Sequence, residues 1–122
     1  MTEKCITVFI CDDQAIVRKG IRALLATEPN IRVVGEAENG QEAISQAEEL
    51  RPDVILMDLE MPIMDGYEAT HQIKFRWPLC RVIALTIHTD EAARQKAYQA
   101  GVDEFVEKGA PILFLMQAMT DS

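Results

Sequence analysis

The chain has 122 residues, 48% of them apolar and 26% charged, the size and composition of one globular domain with its own core. Its formal net charge of -8 offers nothing for counterion release on DNA, so this segment alone is a poor nucleic-acid binder. No apolar run approaches the roughly 18 residues of a membrane helix, and the amino terminus, MTEKCITVFI, lacks a signal-peptide layout.

In chain order, the first short apolar run, Ile6–Cys11, reads as a buried strand. A helical pattern follows, with Ile16, Gly20, Ile21, Leu24 and Leu25 on one face. Pro29 precedes a second strand, Arg32–Ala37. Asn39 with Glu42 then forms the start signal of a helix whose apolar face is Ala43, Ile44, Ala47 and Leu50. Pro52 precedes the third strand, Val54–Met57. Asp65 with Glu68 opens a helix carrying Ala69 and Ile73, and Pro78 precedes the fourth strand, Val82–Leu85. Gly101 ends another helical stretch, where a glycine C-terminal cap belongs. The fifth strand is Glu104–Val106, and Pro111 suits the first turn of a last helix, Ile112–Met119. That helix, ILFLMQAM, is apolar nearly all round, which fits packing on a partner, another copy or a further domain.

The expected fold is therefore α/β: a doubly wound, flavodoxin-like (βα)5 domain over residues 1–122, with a parallel sheet in the order 2-1-3-4-5. Cys5, Cys11 and Cys80 form no CxxC or Cys/His cluster. They read as buried, reduced thiols of a cytoplasmic protein, with no support for structural zinc.

Polar residues end the strands. Asp12 and Asp13 follow the first, Asp58 the third, Thr86 the fourth, and Glu107 and Lys108 the fifth. Ligands of open α/β sheets bind beyond the carboxyl ends of strands where strand order reverses, here between strands one and three. Asp12, Asp13 and Asp58 should converge there. A single Asp at a strand end is ordinarily a helix cap or a solvated loop residue. Three together are different: each pair about 5 Å apart repels by roughly 3 kcal/mol at an effective dielectric near 20, and the three sum to roughly 10 kcal/mol. Such a cluster needs a cation, and oxygen-only ligands point to a hard ion such as Mg2+. A carboxylate beside a divalent ion, a lysine and a hydroxyl is also equipment for phosphoryl transfer to Asp. Thr86 can donate to a bound phosphoryl group or be a simple β-branched strand end.

The segments FICDDQ, PDVILMDLEMPIMDG, VIALTIH and GVDEFVEKG resemble the receiver domains of bacterial response regulators over nearly the whole chain. The segment Asp58–Gly66, DxxMPxMDG, is specific to them, and the TIH and KG-A-P segments resemble the NarL/FixJ branch. The resemblance implies that Asp58 accepts a phosphoryl group from a sensor histidine kinase. It implies that Mg2+ is held by Asp13, Asp12, Asp58 and the backbone carbonyl of Glu60, and that Thr86 and Lys108 hold the phosphoryl group. Phe105 occupies the aromatic switch position, yet lacks a hydroxyl, and also reads as a core aromatic. Glu60 and His88 are either solvated loop residues or modulators of the phosphoryl group. Members of that branch usually carry a C-terminal LuxR-type helix-turn-helix domain. The implied partners are thus the kinase, a second copy on phosphorylation, and DNA only through a domain absent from this chain, in the cytoplasm and away from membranes.

Rival functions fit less well. A haloacid-dehalogenase-type hydrolase places its nucleophile after the first strand, in DxDx[TV]. An EF-hand starting at Asp58 would need glycine where Ile63 stands. A flavin carrier would meet an acidic pocket that repels phosphate. A pseudo-receiver that binds proteins without taking phosphate remains the alternative within the family, as does a stand-alone receiver.

Overall fold

The computed structural model describes residues 5–120. Five strands alternate with five helices: β1 Ile6–Cys11, α1 Ala15–Leu25, β2 Ile31–Ala37, α2 Gly40–Leu50, β3 Val54–Met57, α3 Gly66–Arg76, β4 Arg81–Thr86, α4 Glu91–Ala100, β5 Glu104–Glu107 and α5 Ile112–Thr120. The sheet order is β2-β1-β3-β4-β5 and every pairing is parallel. Each expected element is present, with strand ends moved by one residue at most.

Alternation along the strands builds a core on each face of the sheet. Phe9, Cys11, Ile55, Met57, Val82 and Ala84 point to one side. There Ala43, Ala47, Ala69, Ile73 and Ala97 bring α2, α3 and α4 onto the sheet. Val8, Ile10, Val54, Leu56, Ile83 and Leu85 point to the other, against Ile21 and Leu25 of α1 and Leu115, Ala118 and Met119 of α5. Alanines dominate the first interface, so those helices approach closely.

Caps fix where helices begin. Asn39 Oδ1 accepts from Glu42 N and Asp65 Oδ1 from Glu68 N, both at 2.9 Å. Asp90 caps α4 in the same way through Ala93 N at 2.9 Å. That cap lacks a Glu or Gln three residues on, the signal that marked the other two. Gly101 ends α4 with φ of 112°, as its glycine predicts.

Two expectations are corrected. The apolar face of α1 is narrower than its pattern: Val17, Ile21 and Leu25 face the sheet, while Ile16 and Leu24 are exposed. One stripe at i, i+4 spacing is enough because α1 lies over β1 and β2, while α5 lies over β4 and β5. Cys5 is exposed, because it precedes β1 and lies outside the sheet; Cys11 and Cys80 are buried, and all three are free thiols. The last helix, as its all-round apolar sequence suggests, buries one face with Leu115, Ala118 and Met119 and leaves Leu113 and Phe114 exposed.

Candidate functional site

β1 and β3 are neighbours, with Cys11 paired to Met57, so their carboxyl ends finish level. Asp12 and Asp13 continue one strand and Asp58 the other. Each of the three offers a carboxylate oxygen, and these oxygens lie within 4.8 Å of one another. Asp12 and Asp58 are buried; Asp13 is exposed.

The backbone holds the cluster tightly. Asp58 N donates to Cys11 O at 2.9 Å and Asp12 N to Ala37 O at 3.0 Å. Asp12 Oδ1 accepts from Gln14 N at 2.9 Å. The loop after β3 turns back so closely that Gly66 N donates to Leu59 O at 3.0 Å. A Cβ at Gly66 would strike the Asp58 carbonyl and lie 2.8 Å from Leu59 Cα, so only glycine fits.

Lys108 reaches in from the end of β5. Its Nζ lies 2.7 Å from Asp12 Oδ2 and 3.5 Å from Asp58 Oδ1. Its backbone amide donates to Thr86 O at 2.8 Å, and Gly109 takes the next turn at φ of 88°. Burial alone would lower the Lys108 ammonium, but Asp12 and Asp58 outweigh it and hold its pKa above the usual value. The Asp58 carboxyl is raised to about 6, first by burial and then by repulsion from Asp12, with Lys108 opposing both. Burial, with the charges of Asp58 and Asp12, pushes the Cys11 thiol up, so this thiol stays neutral.

These residues fit a hard divalent cation such as Mg2+. The donors are all oxygens. Three carboxylates against one ammonium leave two negative charges uncompensated. Asp12 Oδ2 is buried, and its one close partner is the Lys108 ammonium at 2.7 Å, so a carboxylate oxygen has a lone pair left for a further ligand.

Of the remaining sequence candidates, Thr86 and Glu60 lie nearest this centre. Thr86 is buried at the end of β4, and its Oγ1 accepts from His88 N at 3.0 Å. Glu60 N is 3.4 Å from Asp58 Oδ1, a long contact. Phe105 is half-buried on β5, away from the carboxylates. Arg94 stacks 5.7 Å above its ring and 5.4 Å from that of Tyr98. Two features were not apparent in the sequence. Glu60 and His88, taken separately there, pair across the mouth of the site at 2.7 Å. Both stand two residues beyond a strand-end site residue, Asp58 and Thr86, the signal that relates them. The second is Arg18, whose Nη1 donates to the Asp12 carbonyl at 2.7 Å.

Comparison with known proteins agrees with this geometry. Residues 8–120 match the family model for the response regulator receiver domain. The response regulator protein VraR of Staphylococcus aureus is 48% identical over 103 residues, covering 84% of this chain and 49% of its own length. The chain thus spans about half the length of the curated relatives it matches. Among solved structures, a LuxR-family two-component response regulator from Aurantimonas sp. SI85-9A1 superposes with a TM-score of 0.88 at 34% identity, over 93% of this chain and 81% of that one. RcsB from Salmonella enterica serovar Typhimurium, bound to promoter rprA in the presence of phosphomimetic BeF3-, gives 0.84 at 30% identity, over 93% and 65%. With an acidic cluster at the β1/β3 switch point and a lysine from β5, this chain belongs to the response regulator receiver domain family.

Proposed function

We propose that the chain is the phosphoacceptor switch of a two-component system and that Asp58 takes the phosphoryl group. The observation that supports this most is the meeting of Asp12, Asp13 and Asp58 beside the Lys108 ammonium, with charge left over for a divalent cation. Asp12, Asp13, Asp58 and the backbone carbonyl of Glu60 would hold Mg2+. When bound, that ion neutralises phosphoryl oxygens.

A carboxylate oxygen of Asp58 attacks phosphorus in line with the leaving nitrogen of a phosphohistidine on a partner kinase. The P–O bond forms, the P–N bond breaks, and its electron pair returns to the imidazole, which takes a proton from solvent. Lys108 places a fixed positive charge beside the transferred group. Thr86 Oγ1 accepts from the His88 amide, so its own proton is free to donate to a phosphoryl oxygen. Phe105 follows Thr86 inward by packing alone, since it carries no hydroxyl, and must leave the Arg94 stack to do so. The change is a population shift biased by a local charge. The chain assists its own phosphorylation and hydrolysis, and in that sense is a switch rather than an enzyme.

Residues 1–122 are read as the receiver part of a longer, cytoplasmic transcription regulator. The match spans only 49% of the length of the curated relatives, and a neighbour was solved on a promoter. DNA contact would come from a C-terminal helix-turn-helix domain outside this chain, with homodimerisation on phosphorylation. Among the described residues, no helix is long and apolar enough to cross a membrane.

Intact-mass spectrometry after incubation with acetyl phosphate and Mg2+ tests the reading. The expected result is a gain of about 80 Da that requires Mg2+ and is lost in Asp58→Asn. Folded protein that takes no adduct with Mg2+ present would instead mark a pseudo-receiver acting by protein binding.

A further inference from the structure

Arg18 sits on α1, outside the acidic cluster, yet its guanidinium ties two strands together at the edge of the site. Nη1 donates to the carbonyl oxygen of Asp12 at 2.7 Å, and Nε donates to Glu36 Oε1 on β2 at 2.9 Å. Its side chain is only 16% exposed, so the fork is largely shielded from water. Glu36 is itself held in place: Arg22 Nε donates to its other oxygen at 2.7 Å, and Gln46 Nε2 donates to its backbone carbonyl at 3.1 Å.

The Asp12 carbonyl belongs to the peptide that joins Asp12 to Asp13. Its orientation sets where both carboxylates point. The Asp12 amide is fixed by Ala37 O, its Oδ1 by Gln14 N, and its carbonyl by Arg18. Only Oδ2 is left to face the cluster, where the Lys108 ammonium lies 2.7 Å away. A planar guanidinium suits this task because it can donate in two directions at once; an ammonium on a flexible stem cannot hold the same geometry.

We propose that Arg18 is a positioning residue for the divalent-cation site, acting through the Asp12–Asp13 peptide and anchored by Glu36. This rests on the metal-binding reading above. It opposes the simple electrostatic expectation. Removing a positive charge near a cation site should tighten cation binding, whereas loosening the peptide that aims two ligands should weaken it. Partners of this kind behind metal ligands are typically worth tenfold or more in affinity.

The test is Mn2+ binding, read by electron paramagnetic resonance of the free ion, on the wild-type chain and on Arg18→Met, Arg18→Lys, Arg22→Met and Asp13→Asn. Arg22→Met removes the same charge and the same kind of Glu36 contact without touching Asp12. The expected result is affinity weakened about tenfold in Arg18→Met and in Arg18→Lys, and close to wild type in Arg22→Met. Circular dichroism establishes that each variant is folded; if Arg18→Met is not, Arg18→Lys decides. Unchanged or tighter binding in a folded Arg18 variant overturns the proposal, as does equal weakening in Arg22→Met. If the wild-type chain binds no Mn2+, or Asp13→Asn binds as well as wild type, the metal-site reading itself fails.

Discussion

Asp58→Asn should make the metal-free protein more stable at neutral pH. The Asp58 carboxyl is raised from 3.8 to about 6, first by burial and then by Asp12. A group whose folded pKa lies above its unfolded value stabilises the fold fully below the unfolded pKa, and that contribution is lost as pH rises through the folded pKa. For Asp58 the window is roughly pH 4 to 6. Raising the carboxyl that far corresponds to about 3 kcal/mol by linkage. The site opens onto solvent at exposed Asp13, so screening should reduce this to about 2 kcal/mol. Urea melts of both proteins in a chelator, from pH 4 to pH 8, measure it. The gap in unfolding free energy should be small at pH 4, widen through pH 5 to 6 and level near 2 kcal/mol by pH 7. Millimolar Mg2+ should then narrow it, because the wild-type chain gains more from the ion. A gap independent of pH, or a wild type more stable than the variant at pH 7 without metal, would refute the picture of Asp58 as a strained carboxylate awaiting a counter-charge.

Two substitutions away from the carboxylates carry opposite signs. Gly66→Ala puts a methyl group against the Asp58 carbonyl and 2.8 Å from Leu59 Cα, where backbone must move, so urea denaturation should show a loss of about 2–3 kcal/mol. Thr70 is fully buried on α3 and its hydroxyl has no hydrogen-bond partner. Thr70→Val keeps the β-branched shape and removes that hydroxyl, so the same melts should show a gain of about 1 kcal/mol; a loss would mean that the hydroxyl has a partner after all.

The architecture was legible because it rests on local signals: apolar runs of strand length, prolines before three of them, and two caps with an acidic residue three positions on. Periodicity misled at the edges of helix faces, where Ile16 and Leu24 on α1 and Leu50 on α2 are all exposed, since the sequence does not say how wide a stripe the sheet leaves uncovered. The backbone turns at Arg51 and Ile63, with φ of 44° and 69°, were likewise unannounced, because neither position carries the glycine or asparagine that marks the left-handed region. The three aspartates could be placed together from topology alone, because strand ends in a parallel sheet finish side by side.

What strand-end reasoning could not supply is the layer behind those ends. Arg18 lies on a helix, six residues past Asp12, and its partner Glu36 lies on a strand that contributes no carboxylate to the cluster. The Glu60–His88 pair joins two loops whose separation depends on the twist of β3 against β4. Both are contacts between elements that only the folded chain brings together. The distinction has a chemical consequence. Residues at strand ends decide which chemistry the site can perform, since their type and number set the charge and the donors. Residues behind them decide how tightly that site is held before any ligand arrives. Two receiver chains with the same aspartates, threonine and lysine can therefore differ in metal affinity if their equivalents of Arg18 and Glu36 differ.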